Sequence, residues 1–199
     1  MFHLAPEEIA KHLADLTSAL TTEKDHTKLL DRIILGCMYL TNADGGTLYT
    51  LNEENENELA FTILHNRSLG IHRKPHDLQA IQVFNSQQQA SKLVVVQTFV
   101  QRETINIPDA YACSTYDFSG TRNFDKQLSY HSKSFLCVPL QDHEGEIIGV
   151  LQLINAIDDK GETIPFQETQ QYLVESLASL AATVLTKQRL IDAQRHLFE

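Results

Sequence analysis

"SFLCVPLQDHEGEIIGVLQLIN" occupies Ser134–Asn155 and decides how the rest of the chain is read. Two apolar runs, Ser134–Leu140 and Glu146–Asn155, flank the polar "QDHEGE", in which Gly145 suits a turn. Nearly every position of both runs is apolar, the mark of strands covered on both faces. The stretch predicts an antiparallel strand pair inside a sheet that carries helices, and not a two-sheet sandwich.

Moving towards the N-terminus, "TINIP" reads as a short strand stopped by Pro108. Ser91–Glu103 is expected to be helical, although its "LVVV" run also suits a strand. Asn66–Ala90 shows no regular pattern. Thr47–Leu51 and Glu58–His65 flank "NEENENE" and predict a hairpin with a long turn. "ADGG" ends a helix expected over about residues 25–41, with the two glycines as its stop signal. That helix carries Leu29, Ile33, Cys37 and Leu40 beside Leu30, Ile34 and Met38, an arc wide enough to pack on a sheet. Pro6 with Glu7 and Glu8 starts an earlier helix, whose narrow stripe Ile9, Leu13, Leu16 and Leu20 suits a helix pair.

Towards the C-terminus, one long helix is expected from about Phe166 to the end. Leu173, Leu177, Leu180 and Val184 keep a heptad spacing that Ile191 and Phe198 continue, and the pattern calls for a partner helix. The heptad still runs at "AQRHLFE", so an output domain beyond it is expected.

The 199-residue chain is 42% hydrophobic and 21% charged, as in ordinary globular domains. Its 16 Lys and Arg against 26 Asp and Glu give a formal charge of −10, which opposes nucleic-acid backbones and anionic membranes. No apolar run approaches the roughly 20 residues of a membrane span. Cys37, Cys113 and Cys137 are odd in number and widely spaced, so neither a disulfide framework nor a zinc site is expected. A reducing, cytoplasmic setting follows, with Cys37 and Cys137 as core thiols.

"INIPDAY", the Ser134–Asn155 stretch and "FQETQQYLVESLASLAATVL" resemble the GAF domains of cyclic-nucleotide phosphodiesterases. "DFSGTRNFD" with "LQLINA" is more similar still to bacterial GAF sensors that precede HD-type phosphohydrolases, nucleotide cyclases or histidine kinases. The resemblance spans roughly Lys24 to Gln188. It implies an α+β, profilin-like fold: a six-stranded antiparallel sheet with helices on one face and a small-ligand pocket on the other. It divides the chain into an N-terminal dimerisation helix (1–23), a sensor domain (24–188) and a terminal helix (166–199) that continues as a signalling coiled coil. Asp109–Asp125 would then be the pocket's lid.

The cyclic-nucleotide subgroup carries Asn-Lys, a spacer, Phe, three residues and Asp-Glu. Here those positions read Asn155-Ala156, Phe166 and Gln170-Gln171. Lysine and aspartate are lost together, which leaves no unpaired buried charge. The glycine-rich turn before the crossover helix is also replaced, by "KLVVVQT", which weighs against close approach of a purine.

Candidate ligand-binding residues are Asn106, Asp109, Tyr116, Asp117, Phe118, Thr121, Phe124 and Asp125. Aromatic rings would sandwich a planar ligand while carboxylates accept from its donors. The same residues also suit a structural loop, with aspartates in local turns, aromatics pinning the segment, and Ser119 or Thr121 capping a short helix. His65, His72 and His76 lack a metal-site spacing and read as surface histidines, and His131 lies near the end of the lid.

No nucleophile–base set, phosphate loop or metal motif stands out, and no cofactor is implied. The sequence therefore predicts a non-catalytic, cytoplasmic sensor domain that binds an unidentified small molecule and dimerises through its terminal helices. The alternatives are a structural dimerisation module whose pocket is filled by Phe84, Tyr116 or Phe118, and a thiol-based sulfoxide reductase.

Overall fold

Glu8 closes the first helical turn by accepting from the Ala5 amide at 3.1 Å, which opens α1 (Pro6–Thr22). The computed structural model describes residues 4–73 and 78–197. Helix α2 (His26–Thr41) is capped by the Asp25 side chain, which accepts from the amides of Thr27 and Lys28 at 3.0 and 3.2 Å. Asn42, in the left-handed region at φ 50°, ends it and donates through Nδ2 to the Ile157 carbonyl at 2.7 Å.

Strands β1 (Ala43–Leu51), β2 (Glu58–Asn66), β3 (Ile71–Arg73) and β4 (Ile81–Gln82) follow. Helix α3 (Val94–Gln101), β5 (Ile105–Ile107) and α4 (Ser119–Leu128) make the crossover, and β6 (Phe135–Gln141) and β7 (Ile147–Ile157) form the central hairpin. The two-residue β8 (Thr163–Ile164) leads into α5 (Glu168–His196). The sheet is antiparallel throughout in the order β3-β2-β1-β7-β6-β5, with β4 on β2 and β8 on β7. The six strands of that path are the expected sheet, and the two short strands extend it.

Both faces are covered, as the apolar runs require. Leu136, Val138 and Leu140 point with Leu151 and Leu153 towards α2 and α5, while Phe135, Cys137 and Val150 point into a second core built around α3. Burial of each such side chain contributes roughly 1.5–3 kcal/mol. The helix layer is not confined to one face, because Val94, Val95 and Val96 of α3 belong to the second core.

Three local expectations are revised. Gly45 and Gly46 lie inside β1, not at a helix end, because Asn42 already ends α2. A Cβ on Gly46 would sit 2.9 Å from Met38 Sδ and 3.0 Å from Ile34 Cγ2, so this glycine lets α2 seat on the sheet. Asn66–Ala90 holds β3 and β4, too short to give a periodicity. On α5, Leu177 and Val184 of the heptad stripe are buried in the domain's own core together with Val174, Ala178 and Ala181, whereas Leu173 and Leu180 are half-buried. Small alanines let α5 approach α2 closely. Phe198, the last position of the stripe, lies outside the described residues.

Beyond the core, Arg189 of α5 donates to the Leu51 carbonyl at 2.8 Å and pairs with Glu53 at 2.8 Å, which ties the helix to the β1–β2 turn. Among the described residues, no helix is long and apolar enough to cross a membrane.

Candidate functional site

A cavity of about 360 Å³ opens between the second face of the sheet and α4, within the range of small-molecule pockets. Its floor is set by register: Gly45 of β1 lies opposite Asn66 of β2 on one side and Ile154 of β7 on the other. Gln152 adds a buried polar group to the floor, donating to the Tyr49 hydroxyl at 3.4 Å and accepting from the Cys137 thiol at 3.4 Å. Burial pushes the Tyr49 hydroxyl well above its ordinary pKa, so it remains a neutral phenol.

The roof comes from the expected lid. Asp117, Phe118, Thr121 and Phe124 line the cavity. Phe118 is buried against Phe135 with ring centroids 5.1 Å apart, and Phe124 remains 39% exposed at the edge. The residue at the helix cap position is Phe118, and neither Ser119 nor Thr121 caps α4. Asp117 serves that end, accepting from the Ser119 amide at 2.8 Å, and hydrogen bonds from Ser119 hold its carboxyl below the usual range.

The other four candidates lie outside the cavity lining. Asp125 is buried and accepts from the Tyr111 hydroxyl (2.6 Å), the Ser132 amide (2.8 Å) and the Ser132 hydroxyl (2.7 Å). It binds the end of α4 to the segment entering β6, and its hydrogen bond raises the Tyr111 pKa. Asp109 makes a local turn with the Tyr111 amide at 2.9 Å. Asn106 donates to the Phe166 carbonyl at 3.1 Å and reaches Gln171 at 3.4 Å, towards α5. Tyr116 packs against the second core. His131 stacks on Tyr111 at 4.2 Å between centroids, and Cys113 is half-buried beside the same core.

The signature positions have a structural explanation. Asn155, at φ 58°, accepts from the amides of Lys133 and Ser134 and donates to the Tyr130 hydroxyl and the His131 carbonyl. Ala156 is fully buried where the subgroup has lysine. Gln170, in place of the aspartate, donates to the Thr41 carbonyl at 3.1 Å and accepts from the Gln167 amide at 2.9 Å. Neutral hydrogen bonds thus stand where an ion pair is expected in the subgroup.

His65 is not a surface histidine. It is buried, with Nε2 2.6 Å from Asp31 Oδ1 on α2 and Nδ1 3.0 Å from His72 Nδ1 on β3. His72 is exposed, and His76 lies outside the described residues. Among the described residues, no group of three or more His, Cys, Asp or Glu side chains has metal-site geometry.

Sequence reasoning missed the cavity's strand side, including Gly45, Thr47, Phe61 and Gln152. The signal was alternation: Thr47 and Gln152 neighbour Leu48 and Leu151, which face the helices, so they belong to the opposite face.

An antiparallel sheet between a helix layer and a roofed cavity is an architecture shared by a class of domains that are generally regulatory and ligand-binding and that also includes enzymes. The GAF domain profile matches residues 25–185, and the chain belongs to that family. Among known proteins it is 25% identical over 194 residues to the dual 3',5'-cyclic-AMP and -GMP phosphodiesterase 11A of Takifugu rubripes, a match covering 98% of this chain and 20% of that protein. The chain thus spans about a fifth of that curated relative's length. Among solved structures it is similar to the GAF domain of an Acinetobacter phosphoenolpyruvate-protein phosphotransferase, with TM-score 0.69, 15% identity and coverage of 97% of this chain and 99% of that one. It also resembles a free methionine-R-sulfoxide reductase from Neisseria meningitidis, with TM-score 0.63, 18% identity and coverage of 96% and 98%.

Proposed function

We propose that this chain is the sensor domain of a bacterial signal-transduction protein, in which a small molecule beneath α4 controls the packing of α1, α2 and α5 and, through them, an output domain. A homodimer formed through the terminal helices would carry the signal, in a cytoplasmic setting. The observation that carries the reading is that cavity and helix layer share one sheet and are bridged by a hydrogen-bonded chain. Ile71 of β3 lines the cavity, its neighbour His72 meets His65, and His65 meets Asp31 on α2. A ligand that binds one arrangement of β3 more tightly would bias α2 by the same differential affinity, of order 1–3 kcal/mol.

A non-catalytic role is supported by the thiols. A thiol-based reductase needs a thiolate at its substrate. None of the three cysteines is among the residues lining the cavity, and burial pushes the Cys37 and Cys137 thiols far up. The module with a filled pocket is less well supported, because Phe84 and Tyr116 pack outside the cavity and Phe118 lines it without closing it.

The test joins native mass spectrometry of freshly purified protein to thermal denaturation. A co-purifying compound should raise the melting midpoint in proportion to the logarithm of its concentration. It should also change the association of two copies, read by analytical ultracentrifugation. A midpoint insensitive to every compound found would sink the sensor reading.

A further inference from the structure

We infer that the cavity accepts a flat aromatic compound that is uncharged or cationic and discriminates against phosphorylated or carboxylated ones. This rests on the sensor reading and adds the chemical class of the ligand. Shape comes first. Gly45 leaves the floor bare: a Cβ there would meet only ordinary contacts, Asn66 Nδ2 at 3.4 Å and Ile154 Cβ at 3.6 Å. A ring can therefore lie against the strands with Phe61, Phe118 and Phe124 around it, in edge or offset contact. Thr47, Gln152 and Asn66 offer neutral hydrogen-bonding groups at the same level.

Charge comes second. Among the described lining residues there is no lysine or arginine, the ring nitrogens of the lining histidine, His65, already meet Asp31 and His72, and Asp117 supplies a carboxylate at the rim. The start of α4, where Gly120 and Thr121 line the cavity, would be the natural place for an anion. Asp117 already occupies it by accepting from the Ser119 amide. The guanidinium nearby lies outside the lining: Arg122 sits over the Tyr111 ring, 5.7 Å from its centroid, and its charge acts on Asp117. An entering phosphate would give up its hydration, find no lysine or arginine in the lining and face the Asp117 carboxylate.

The experiment uses ligand-observed NMR on the full chain near neutral pH with matched probes: quinoline, 4-aminoquinoline and quinoline-4-carboxylate, and adenosine beside AMP. Quinoline and 4-aminoquinoline should bind, and each anionic member should bind at least about tenfold more weakly than its uncharged counterpart. Gly45→Leu, which fills the floor, should abolish the signals. Asp117→Lys, at an exposed position, should strengthen the anionic probes by about tenfold and weaken 4-aminoquinoline. Anionic probes that bind as tightly as their partners, or an order unmoved by Asp117→Lys, would overturn the charge preference and leave the sensor reading standing. Silence from every probe would overturn the inference itself, and the co-purification test above then decides the sensor reading separately.

Discussion

The Tyr130 hydroxyl donates to Asp44 Oδ2 at 2.6 Å, joining residues 86 positions apart. Asp44 also accepts from the Ser68 amide and hydroxyl, and Asn155 donates to the Tyr130 oxygen. The exit of the lid, the start of β1, the turn after β2 and the end of β7 therefore meet at one phenol. Burial, followed by Asp44, raises the Tyr130 pKa above its ordinary value. An unfolded tyrosine releases its proton near pH 10, whereas the folded one holds it longer. The stabilisation is thus complete below about pH 10 and is lost as pH climbs towards the folded value. Tyr130→Phe is expected to cost about 1–2 kcal/mol near neutrality and to reduce the alkaline decline, to which Tyr49 and the buried Cys37 and Cys137 thiols also contribute. Urea midpoints for both proteins between about pH 7 and pH 11 check this. A wild-type decline no steeper than the variant's contradicts it.

Asp125 is the other anchor of the lid. Asp125→Ala would strand the Ser132 amide and hydroxyl in a buried position and free the Tyr111 ring. A loss of about 3 kcal/mol is expected, with faster amide exchange through residues 119–132. Asp109→Ala removes a single turn contact and should cost under about 1 kcal/mol. Equal losses in the two variants would show that Asp125 is no more than a turn residue.

Two glycines should respond in opposite directions to the same added methyl. A Cβ on Gly149 would run into the Tyr49 carbonyl oxygen and lie 3.4 Å from Thr50 Cα, both backbone atoms that no rotamer change can clear. Gly149→Ala should therefore pry β1 from β7 and cost about 2–3 kcal/mol. On α4, Gly120 has nothing within 4 Å of an added Cβ. Gly120→Ala should stabilise the protein by about 0.5–1 kcal/mol through helix propensity. Thermal midpoints measured side by side distinguish the two.

The parts of the molecule legible in the sequence are those whose cause is local. The β6–β7 pair was readable because both faces are apolar, and α2 because its buried arc is broad. Asp117, Phe118, Thr121 and Phe124 fell in one polar and aromatic stretch between core elements, so they could be found together. Gly45 and Gly46 read as a helix end because a glycine pair after a helix is a local stop signal. Gly46 instead answers to Met38 and Ile34, and Gly45 to the cavity floor. Likewise His65 reads as a surface residue until Asp31, 34 positions earlier, is brought beside it. Pairing across distant strands and helices fixes these roles, and spacing along one segment carries no trace of it.

The cysteines give the last prediction. Cys37 and Cys137 are fully buried with thiols pushed strongly upward, while Cys113 is half-buried on the lid. A thiol reagent acts on the thiolate and needs access. In the native protein one thiol of the three should therefore titrate promptly, and all three should do so in denaturant. Cys113→Ser should remove the prompt reaction and change stability by no more than about 0.5 kcal/mol. Prompt reaction of two thiols would mean that the second core opens readily, contrary to the packing of Cys137 in that core beside Gln152. The same variant tests catalysis. Thiol-dependent reduction of free methionine sulfoxide by the native chain, lost in Cys113→Ser, would show that a cysteine outside the cavity lining reaches a substrate after all, and the non-catalytic reading would fall.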